Sequence, residues 1–265
     1  MTPAGLYSSP ELRLRSAFLW ALPALLAAVL FAVGCAMISH GTPTVRIMTF
    51  NIHHGEGVDS IYDIGRIADF IQDHKPDIVM LQEVDRGFSE RSNNEDQPAM
   101  LAEQLGYHYF YGPNIGTTYG NMILSRFPID GASNISLPNP ASKEPRGLIS
   151  ATVEIGGKRI ALYCTHLSAF SAENRARQIA RLGDMLMSQR YPVVCGGDFN
   201  TRPSEQLALL LSPGGIFSTR RHLGIGDGID DVLLSAGMNE SLVSGYIAET
   251  VYSDHPVYLI DCRFP

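Results

Sequence analysis

Short apolar segments that run directly into polar residues recur along this chain, and they restrict its fold more than any other feature. Residues 45–52 alternate apolar and polar side chains, as a half-buried strand does, and Asn51 lies near their carboxyl end. Residues 78–81 form a fully apolar run that leads into Gln82 and Glu83. Loops beside strand ends are where convergent polar groups build binding sites. The pattern therefore predicts a sheet protein with a polar site along one sheet edge.

Helical periodicity and further strand signals are interleaved along the rest of the sequence. In order, the patterns predict helices at 63–74, 97–105 and about 172–189, and strands at 121–125, 149–155, 159–165, 191–195, 231–235 and 256–260. Gly156 and Gly157 supply the two residues of a tight hairpin turn. The mixture of hairpins and crossovers predicts an α+β or mixed α/β architecture.

The polar residues that follow or precede these strands share one position, at a strand end or in the loop beside it. They are Asn51, Glu83, His166, Asp198, Asn200, Asp230, Asp254 and His255. Singly, each is a weak signal, because Asn and Asp are common turn residues. The sharpest stretch is GGDFN at 196–200, where two glycines permit close backbone approach and the Asp and Asn can point the same way.

From residue 41 onward the sequence reads as one continuous domain, because no second linker and no internal repeat interrupts it. A chain of 265 residues that is 45% hydrophobic can bury one large core. Its formal net charge is -7, so it lacks the basic excess with which a non-specific polyanion binder holds a phosphate backbone. The charge balance therefore weighs against nucleic acid.

The first 40 residues form a separate segment. Arg13 and Arg15 precede residues 16–38, an uncharged run that is long enough to span a bilayer. Basic residues ahead of this run predict a cytoplasmic amino terminus and an exported domain at 41–265. The sequence leaves open an uncleaved signal anchor, a lipoprotein processed at Cys35 and a plain secretory signal peptide. The predicted domain is thus membrane-anchored or secreted, and extracytoplasmic.

The remaining cysteines are Cys164, Cys195 and Cys262, which are too few for a disulfide framework. Cys164 and Cys195 lie in apolar runs, so we expect small buried side chains. Without Cys-x-x-Cys spacing, the sulfurs are not candidates for a metal site.

In their order along the chain, the polar stretches resemble the endonuclease/exonuclease/phosphatase superfamily, whose members share a deoxyribonuclease-I-like fold. The matching stretches are TFN at 49–51, QE at 82–83, GNMILSR at 120–126, THL at 165–167, GGDFN at 196–200, ID at 229–230 and SDH at 253–255. The ordered set is specific, whereas any one motif alone would not be. This resemblance implies a four-layer α/β/β/α sandwich with two packed mixed β-sheets.

The resemblance also implies a Mg²⁺ or Mn²⁺ site at one sheet edge. Glu83 would be the principal metal ligand, and Asn51 and Asp254 would complete the surroundings of a hard cation that prefers oxygen. The implied catalytic residues are Asp198 and Asn200 beside the attacked phosphate, His255 oriented by Asp230, and His166 on the opposite side of the phosphate.

Such a set meets the needs of phosphate-ester hydrolysis, which are an activated in-line water, neutralised anionic oxygens and a stabilised leaving alkoxide. Histidine suits the proton transfers because its unperturbed pKa is about 6.5. The sequence leaves open whether Asp198 or His255 is the general base.

Four further residues are weaker candidates. Asn121 either hydrogen-bonds the phosphate or has a structural role. Arg146 either clamps a substrate anion or forms a surface ion pair. His53 and His54 resemble a variant seen in exported members of the superfamily, and we expect solvated loop residues there in preference to pocket-lining ones.

The motifs stop short of the substrate, so three functions stay open. Export and a membrane anchor favour a monomeric metal-dependent phosphoesterase, of the phosphodiesterase type, that acts on a lipid head group or another small extracytoplasmic phosphodiester. The NIHHGEG and QEVDRG stretches are similar to the branch grouped with GPI-anchor lipid remodelling proteins. One alternative is an exported or membrane-anchored nuclease, which would need basic residues beside its cleft to bind a nucleic-acid strand. The only compact basic clusters in the sequence are Arg220 with Arg221 and Arg175 with Arg177. The other is a non-catalytic binding module, although no residue of the set is missing.

Overall fold

The computed structural model describes residues 44–140, 144–211 and 215–264. The predicted signal or anchor segment at 1–40 lies outside these described residues. Among the helices in the described part of the chain, none is both long enough and apolar enough to cross a membrane.

Twelve strands of the described residues form two six-stranded sheets. In chain order they are β1 (Thr44–Asn51), β2 (Ile78–Asp85), β3 (His108–Ile115), β4 (Tyr119–Ser125), β5 (Asp130–Ser136), β6 (Gly147–Ile155), β7 (Lys158–His166), β8 (Val193–Asp198), β9 (Ile216–Ser218), β10 (Asp230–Ser235), β11 (Leu242–Ala248) and β12 (Val257–Arg263). The strand orders are β11-β12-β1-β2-β4-β3 and β5-β6-β7-β8-β10-β9. Each sheet has one central parallel pair, β1 with β2 and β7 with β8, among antiparallel pairs.

Four α-helices accompany the sheets, together with short 3₁₀ turns. The helices are α1 (Ile64–His74), α2 (Gln97–Leu105), α3 (Ala172–Met187) and α4 (Thr219–Leu223), and the 3₁₀ turns are His53–Gly55, Glu90–Ser92, Gln206–Leu209 and Ala236–Ser241. The side chain of Asp63 accepts hydrogen bonds from the first backbone N–H groups of α1, and Ser171 caps α3 in the same way. Helix α1 lies between β1 and β2 in the chain, and helix α3 lies between β7 and β8. Each helix is therefore the crossover connection of a parallel strand pair.

Three apolar clusters separate four layers. One lies between the two sheets and includes Ile47, Met80, Ile149, Leu162 and Tyr258. A second packs the first sheet against α1 and α2, with Phe50, Ile67 and Leu101 among its members. The third packs the second sheet against α3, with Tyr163, Ile179 and Leu182 among its members. The predicted α/β/β/α sandwich of two mixed sheets is therefore confirmed.

The three longer helices lie where the sequence predicts them, to within two residues at each end. Strands β3, β5, β9 and β11 and the short helix α4 were not predicted. These four strands are the outer strands of the two sheets. Outer strands are half exposed and need less apolar alternation, so the periodicity that marks central strands is weak in them. Cys164 and Cys195 are buried free thiols, as expected, and Cys262 is a third buried free thiol.

Candidate active site

The two parallel strand pairs deliver polar residues to a common site. Strand β1 ends at Asn51, β7 at His166 and β8 at Asp198, while Glu83 lies near the carboxyl end of β2. The Asn51 amide nitrogen donates to Glu83 Oε1 at 3.0 Å and to Asp198 Oδ2 at 3.2 Å. Asn51 therefore joins the carboxylates of the two sheets.

Glu83 occupies a β-bulge inside strand β2. The pairing of β2 with β4 shifts between Leu81 and Val84, and Glu83 has a left-handed backbone with φ of 60°. The expectation that this carboxylate lies where the strand leaves the sheet is wrong, because β2 continues to Asp85. A left-handed conformation costs a non-glycine residue about 1 to 3 kcal/mol and is concentrated at functional sites. We infer that the bulge directs the Glu83 side chain toward the site.

Close sheet packing explains the two glycines before Asp198. A Cβ atom at Gly197 would collide with the carbonyl oxygen of Thr165 on the neighbouring strand β7. A Cβ atom at Gly196 would meet the sulfur of Met80, which belongs to the opposite sheet. Larger residues would push β8 away from both neighbours, so the glycines permit Asp198 to approach Asn51.

His255 is paired with a carboxylate. Its Nδ1 lies 2.9 Å from Asp230 Oδ2, and its Nε2 lies 3.8 Å from Asp198 Oδ2. Because a carboxylate only accepts, Nδ1 carries a proton. Burial opposes protonation of the ring, but the hydrogen bond to Asp230 and the charges of nearby carboxylates raise the pKa of His255 to about 9. His255 is therefore an imidazolium at neutral pH.

His166 is paired with a cation instead. Arg146 Nη1 donates to His166 Nδ1 at 3.2 Å, and His166 Nε2 lies 3.4 Å from Asp198 Oδ2. Since a guanidinium cannot accept, Nδ1 must be unprotonated and the ring proton lies on Nε2. Burial, followed by the charges of Arg146 and His255, holds the pKa of His166 well below its usual range. His166 is therefore a neutral imidazole with its N–H directed at Asp198.

Of the two alternatives for Arg146, the surface ion pair is wrong, because the side chain is not at the surface. Its side chain is 3% exposed and forms an ion pair of 2.8 Å with Glu144. It still lines the cavity that contains Asp198 and His255.

Asp198 lies between the two histidines. Burial and the neighbouring Asp230 raise the pKa of Asp198 above its usual range. Asn200, in a left-handed conformation with φ of 50°, donates its backbone N–H to Asp198 Oδ1 and its side-chain amide to the Leu167 carbonyl. The predicted neighbours Asp198 and Asn200 are thus brought together, although the Asn200 amide nitrogen is held by backbone.

A cavity of about 490 Å³ contains these groups. Its lining residues are Glu83, Phe88, Arg91, Ile115, Tyr119, Glu144, Arg146, His166, Ala169, Phe170, Asp198, Asn200 and His255. The sequence did not indicate Phe88, Arg91, Tyr119 or Phe170 as site residues. No motif marks them, because they lie in loops and at strand ends whose approach to the cavity depends on the tertiary fold.

The donor set fits a hard divalent cation. Glu83 and Asp198 both approach the Asn51 amide, so two carboxylates converge on one small region. Carboxylate oxygens of Asp198 and Asp230 also lie within 4.8 Å of each other. Asp230 Oδ1 is buried and, within the described part of the chain, has no hydrogen-bond partner. Oxygen ligands and an unpartnered carboxylate oxygen suit a hard divalent cation.

Asp254 lies at the margin of this group. Its side chain is about half exposed, lies 4.0 Å from His53 Nδ1 and 3.4 Å from the Ser253 hydroxyl, and is not part of the cavity lining. Its assignment as a metal ligand stays a prediction.

The weaker candidates have distinct positions. Asn121 is buried and donates to the Gly147 carbonyl at 3.4 Å, which fits the structural alternative. His53 donates its backbone N–H to Asn51 Oδ1, so the turn helps to orient Asn51. The expectation of a solvated loop is wrong for His54, which is buried and whose backbone carbonyl accepts a hydrogen bond from the Gln97 side chain.

Comparison with known proteins agrees with this geometry. The model of the Endonuclease/Exonuclease/phosphatase family matches residues 48–255. Over 169 residues the chain is 28% identical to YbhP of Escherichia coli (strain K12), covering 58% of this chain and 66% of YbhP. It is 27% identical over 204 residues to nocturnin of Rattus norvegicus, covering 64% of this chain and 46% of nocturnin. The chain therefore spans about two thirds of YbhP and less than half of nocturnin.

Among solved structures, an endonuclease/exonuclease/phosphatase from Beutenbergia cavernae DSM 12333 superimposes with a TM-score of 0.72 at 26% identity. The superposition covers 83% of this chain and 72% of that chain. The sheet architecture described above is therefore shared with a solved member of that family.

Proposed function

Because this chain belongs to the endonuclease/exonuclease/phosphatase family, whose members hydrolyse phosphate esters, we propose that it is a Mg²⁺- or Mn²⁺-dependent phosphodiesterase. The observation that carries the proposal is the convergence of Glu83, Asp198 and His255 on one polar cavity. An intact set of this kind gives little support to a non-catalytic binding module.

Glu83 would hold the cation, with Asn51 beside it, and the bound cation supplies charge neutralisation at the phosphoryl oxygens. His255 is already protonated, so it is suited to donate a hydrogen bond to a phosphoryl oxygen or the leaving oxygen. Asp198 is the better general base, because its raised pKa strengthens it as a proton acceptor from water. His166 directs its Nε2–H into the same region and limits where Asp198 can point.

The assay for this proposal uses the full chain in detergent with Mg²⁺ and bis-p-nitrophenyl phosphate, sphingomyelin, phosphatidylinositol or plasmid DNA as substrate. We expect hydrolysis of at least one diester and its loss with EDTA. Replacement of His255 by Gln should lower kcat by about 10²- to 10⁴-fold, as expected for a group that assists proton transfer. The control His108→Gln changes an exposed histidine on outer strand β3. Equal turnover by His255→Gln and His108→Gln would remove His255 from the mechanism.

We also propose that the enzyme is a monomer that acts outside the cytoplasm on a lipid-linked or small phosphodiester, with residues 16–38 as anchor or export signal. The uncharged length of that segment supports this location. A nuclease has less support, because Arg220 is buried and donates to the Asp230 carbonyl, and Arg175 is bound to Ser168 and Gln206.

Cell fractionation tests the location. The anchored forms predict that the protein sediments with membranes and is released by detergent but not by high salt. Recovery as a soluble protein of the culture medium would reject both the uncleaved anchor and the lipoprotein.

A further inference from the structure

Arg91 is a cation in the catalytic cavity that the proposed chemistry does not use. It belongs to the 3₁₀ turn Glu90–Ser92, in the loop that follows strand β2. The same strand carries Glu83, and both side chains line the cavity. The strand therefore contributes an acidic group at the reacting centre and, through its following loop, a basic group elsewhere in the cavity.

The Arg91 guanidinium is held rigidly. Its Nε and Nη2 donate to the two carboxylate oxygens of Asp85 at 2.8 and 2.7 Å. It also lies over the rings of Phe88 and Tyr119, at 4.3 and 5.6 Å from their centroids. A side chain fixed in this way loses little conformational freedom when it binds a ligand.

The two cavity arginines differ in what remains free to bind. Arg146 is 3% exposed and is engaged by Glu144 and His166. Arg91 is 35% exposed, and its hydrogen bonds to Asp85 use only the Nε hydrogen and one hydrogen of Nη2. Its Nη1 has no partner among the described residues, so its hydrogens are available to an anion in the cavity.

We propose that Arg91 forms an anion subsite, and that the substrate is a phosphodiester with a second anionic group, a phosphate, on the part remote from the cleaved bond. This inference rests on the proposed phosphodiesterase activity. Arginine presents a fork of donors that matches phosphate geometry. The rings of Phe88 and Tyr119 hold the guanidinium in the cavity, where it can meet such a group.

The same geometry disfavours a zwitterionic head group that ends in a quaternary ammonium. Such groups bind against aromatic faces. Here Arg91 already covers the faces of Phe88 and Tyr119, and its charge repels a second cation. The competing explanation is that Arg91 only compensates the fully buried carboxylate of Asp85.

Two substrate pairs separate the alternatives, each differing by one phosphate. Phosphatidylinositol and phosphatidylinositol 4-phosphate in the same detergent micelles represent a lipid source. The p-nitrophenyl ester of thymidine 5′-phosphate and its 3′-phosphorylated form represent a soluble source. In at least one pair, kcat/KM of the wild-type full chain should be about tenfold or more higher for the phosphorylated member, as a charge-assisted contact predicts.

Three variants test whether Arg91 causes this preference. Arg91→Gln should abolish the preference, mainly through KM. Asp85→Asn keeps the Arg91 cation and should keep the preference for the phosphorylated substrate. If Arg91 acted only through its ion pair with Asp85, Asp85→Asn should abolish the preference as Arg91→Gln does. The matched control is Arg86→Gln, because Arg86 lies in the same loop and over the Tyr111 ring but does not line the cavity.

The results distinguish failure of this inference from failure of the enzyme assignment. If the unphosphorylated members are hydrolysed but the second phosphate gives no preference, or the preference survives in Arg91→Gln, the phosphodiesterase stands and the anion subsite is wrong. If bis-p-nitrophenyl phosphate and all four substrates are left intact with Mg²⁺, both are wrong. A preference in only one pair identifies the lipid or the soluble source.

Discussion

His166 and His255 approach the same oxygen atom from two sides of the site, yet they differ in charge. Their Nε2 atoms lie 3.4 and 3.8 Å from Asp198 Oδ2. Behind His255 is the carboxylate of Asp230, and behind His166 is the guanidinium of Arg146. The first partner stabilises an imidazolium, and the second makes protonation unfavourable. The partner of His255 overcomes the effect of burial, whereas the partner of His166 adds to it, so the two rings differ in charge.

This difference assigns separate tasks to two chemically identical side chains. A cationic His255 can offer a proton to an oxygen that gains negative charge. A neutral His166, with Nδ1 accepting from Arg146, can only donate through Nε2. Both histidines contact Asp198, so the functions of His166 and of His255 should both depend on this carboxylate.

The largest effect should therefore follow from Asp198→Asn. This isosteric change removes the proton acceptor and both histidine contacts, and we expect kcat on a simple diester to fall about 10³-fold. The effect should also be non-additive with His255→Gln, because residues that act as a unit do not contribute independently. Steady-state kinetics of the single and double variants measure this.

Asp184→Asn is a suitable control for that series, since Asp184 is an exposed carboxylate on α3. Melting temperatures of the variants check that a loss of kcat does not come from a loss of the fold. Additive losses in the Asp198 and His255 double variant would show that the two residues act separately.

An intermediate effect should follow from changing the partner of His166. Arg146→Met removes the donor to Nδ1, so the ring can adopt the other tautomer and its pKa rises toward the usual value. Loss of an orienting partner of this kind costs about 10- to 100-fold, and kcat should fall in that range. Arg146→Gln retains an N–H donor, so it should restore part of the loss.

The ¹⁵N chemical shifts of His166 in metal-free protein provide a readout that a merely structural defect would not move. Wild-type protein should show an unprotonated Nδ1 near neutral pH, and Arg146→Met should show a tautomer mixture. If His166 kept the same tautomer while kcat fell, the positioning role of Arg146 would be refuted.

The sequence predicted central strands well and outer strands poorly, for one physical reason. Residues 78–81 are uniformly apolar because β2 is covered on both faces, and this marks the strand directly. Strand β5 (Asp130–Ser136) contains mostly polar or small residues and is held by pairing with β6. Strand β3 contains Gly112 and Pro113, which also obscure a strand pattern. Pairing partners come from distant sequence, so local periodicity could not reveal them.

The site residues themselves were accessible to sequence analysis, because they lie in recognisable motifs at or near the ends of strands. Their partners were less accessible. For Arg146 the sequence left a substrate contact and a surface ion pair open, and its 3% exposed position beside His166 depends on how β6 and β7 pair. Arg91 lies outside the motifs, and its position over two rings depends on tertiary contacts. The sequence was therefore a reliable guide to the identity of the site residues. It was a poorer guide to the neighbouring groups that determine their protonation states.

The smallest effect should appear in the stability of metal-free protein, where the two histidines have opposite pH dependence. The pKa of His255 is about 9 in the fold and about 6.5 when unfolded, so its contribution is complete below pH 6.5 and is lost as pH rises through about 9. Asp230→Asn should remove about 1 to 2 kcal/mol at pH 6 and little at pH 9.5. His166 has a depressed pKa, so it lowers stability as pH falls below 6.5, and His166→Gln should relieve that loss. Urea unfolding with EDTA at pH 6 and pH 9.5 measures the free energy of unfolding of each variant relative to wild type. A difference between Asp230→Asn and wild type that does not change with pH would contradict the charge assigned to His255.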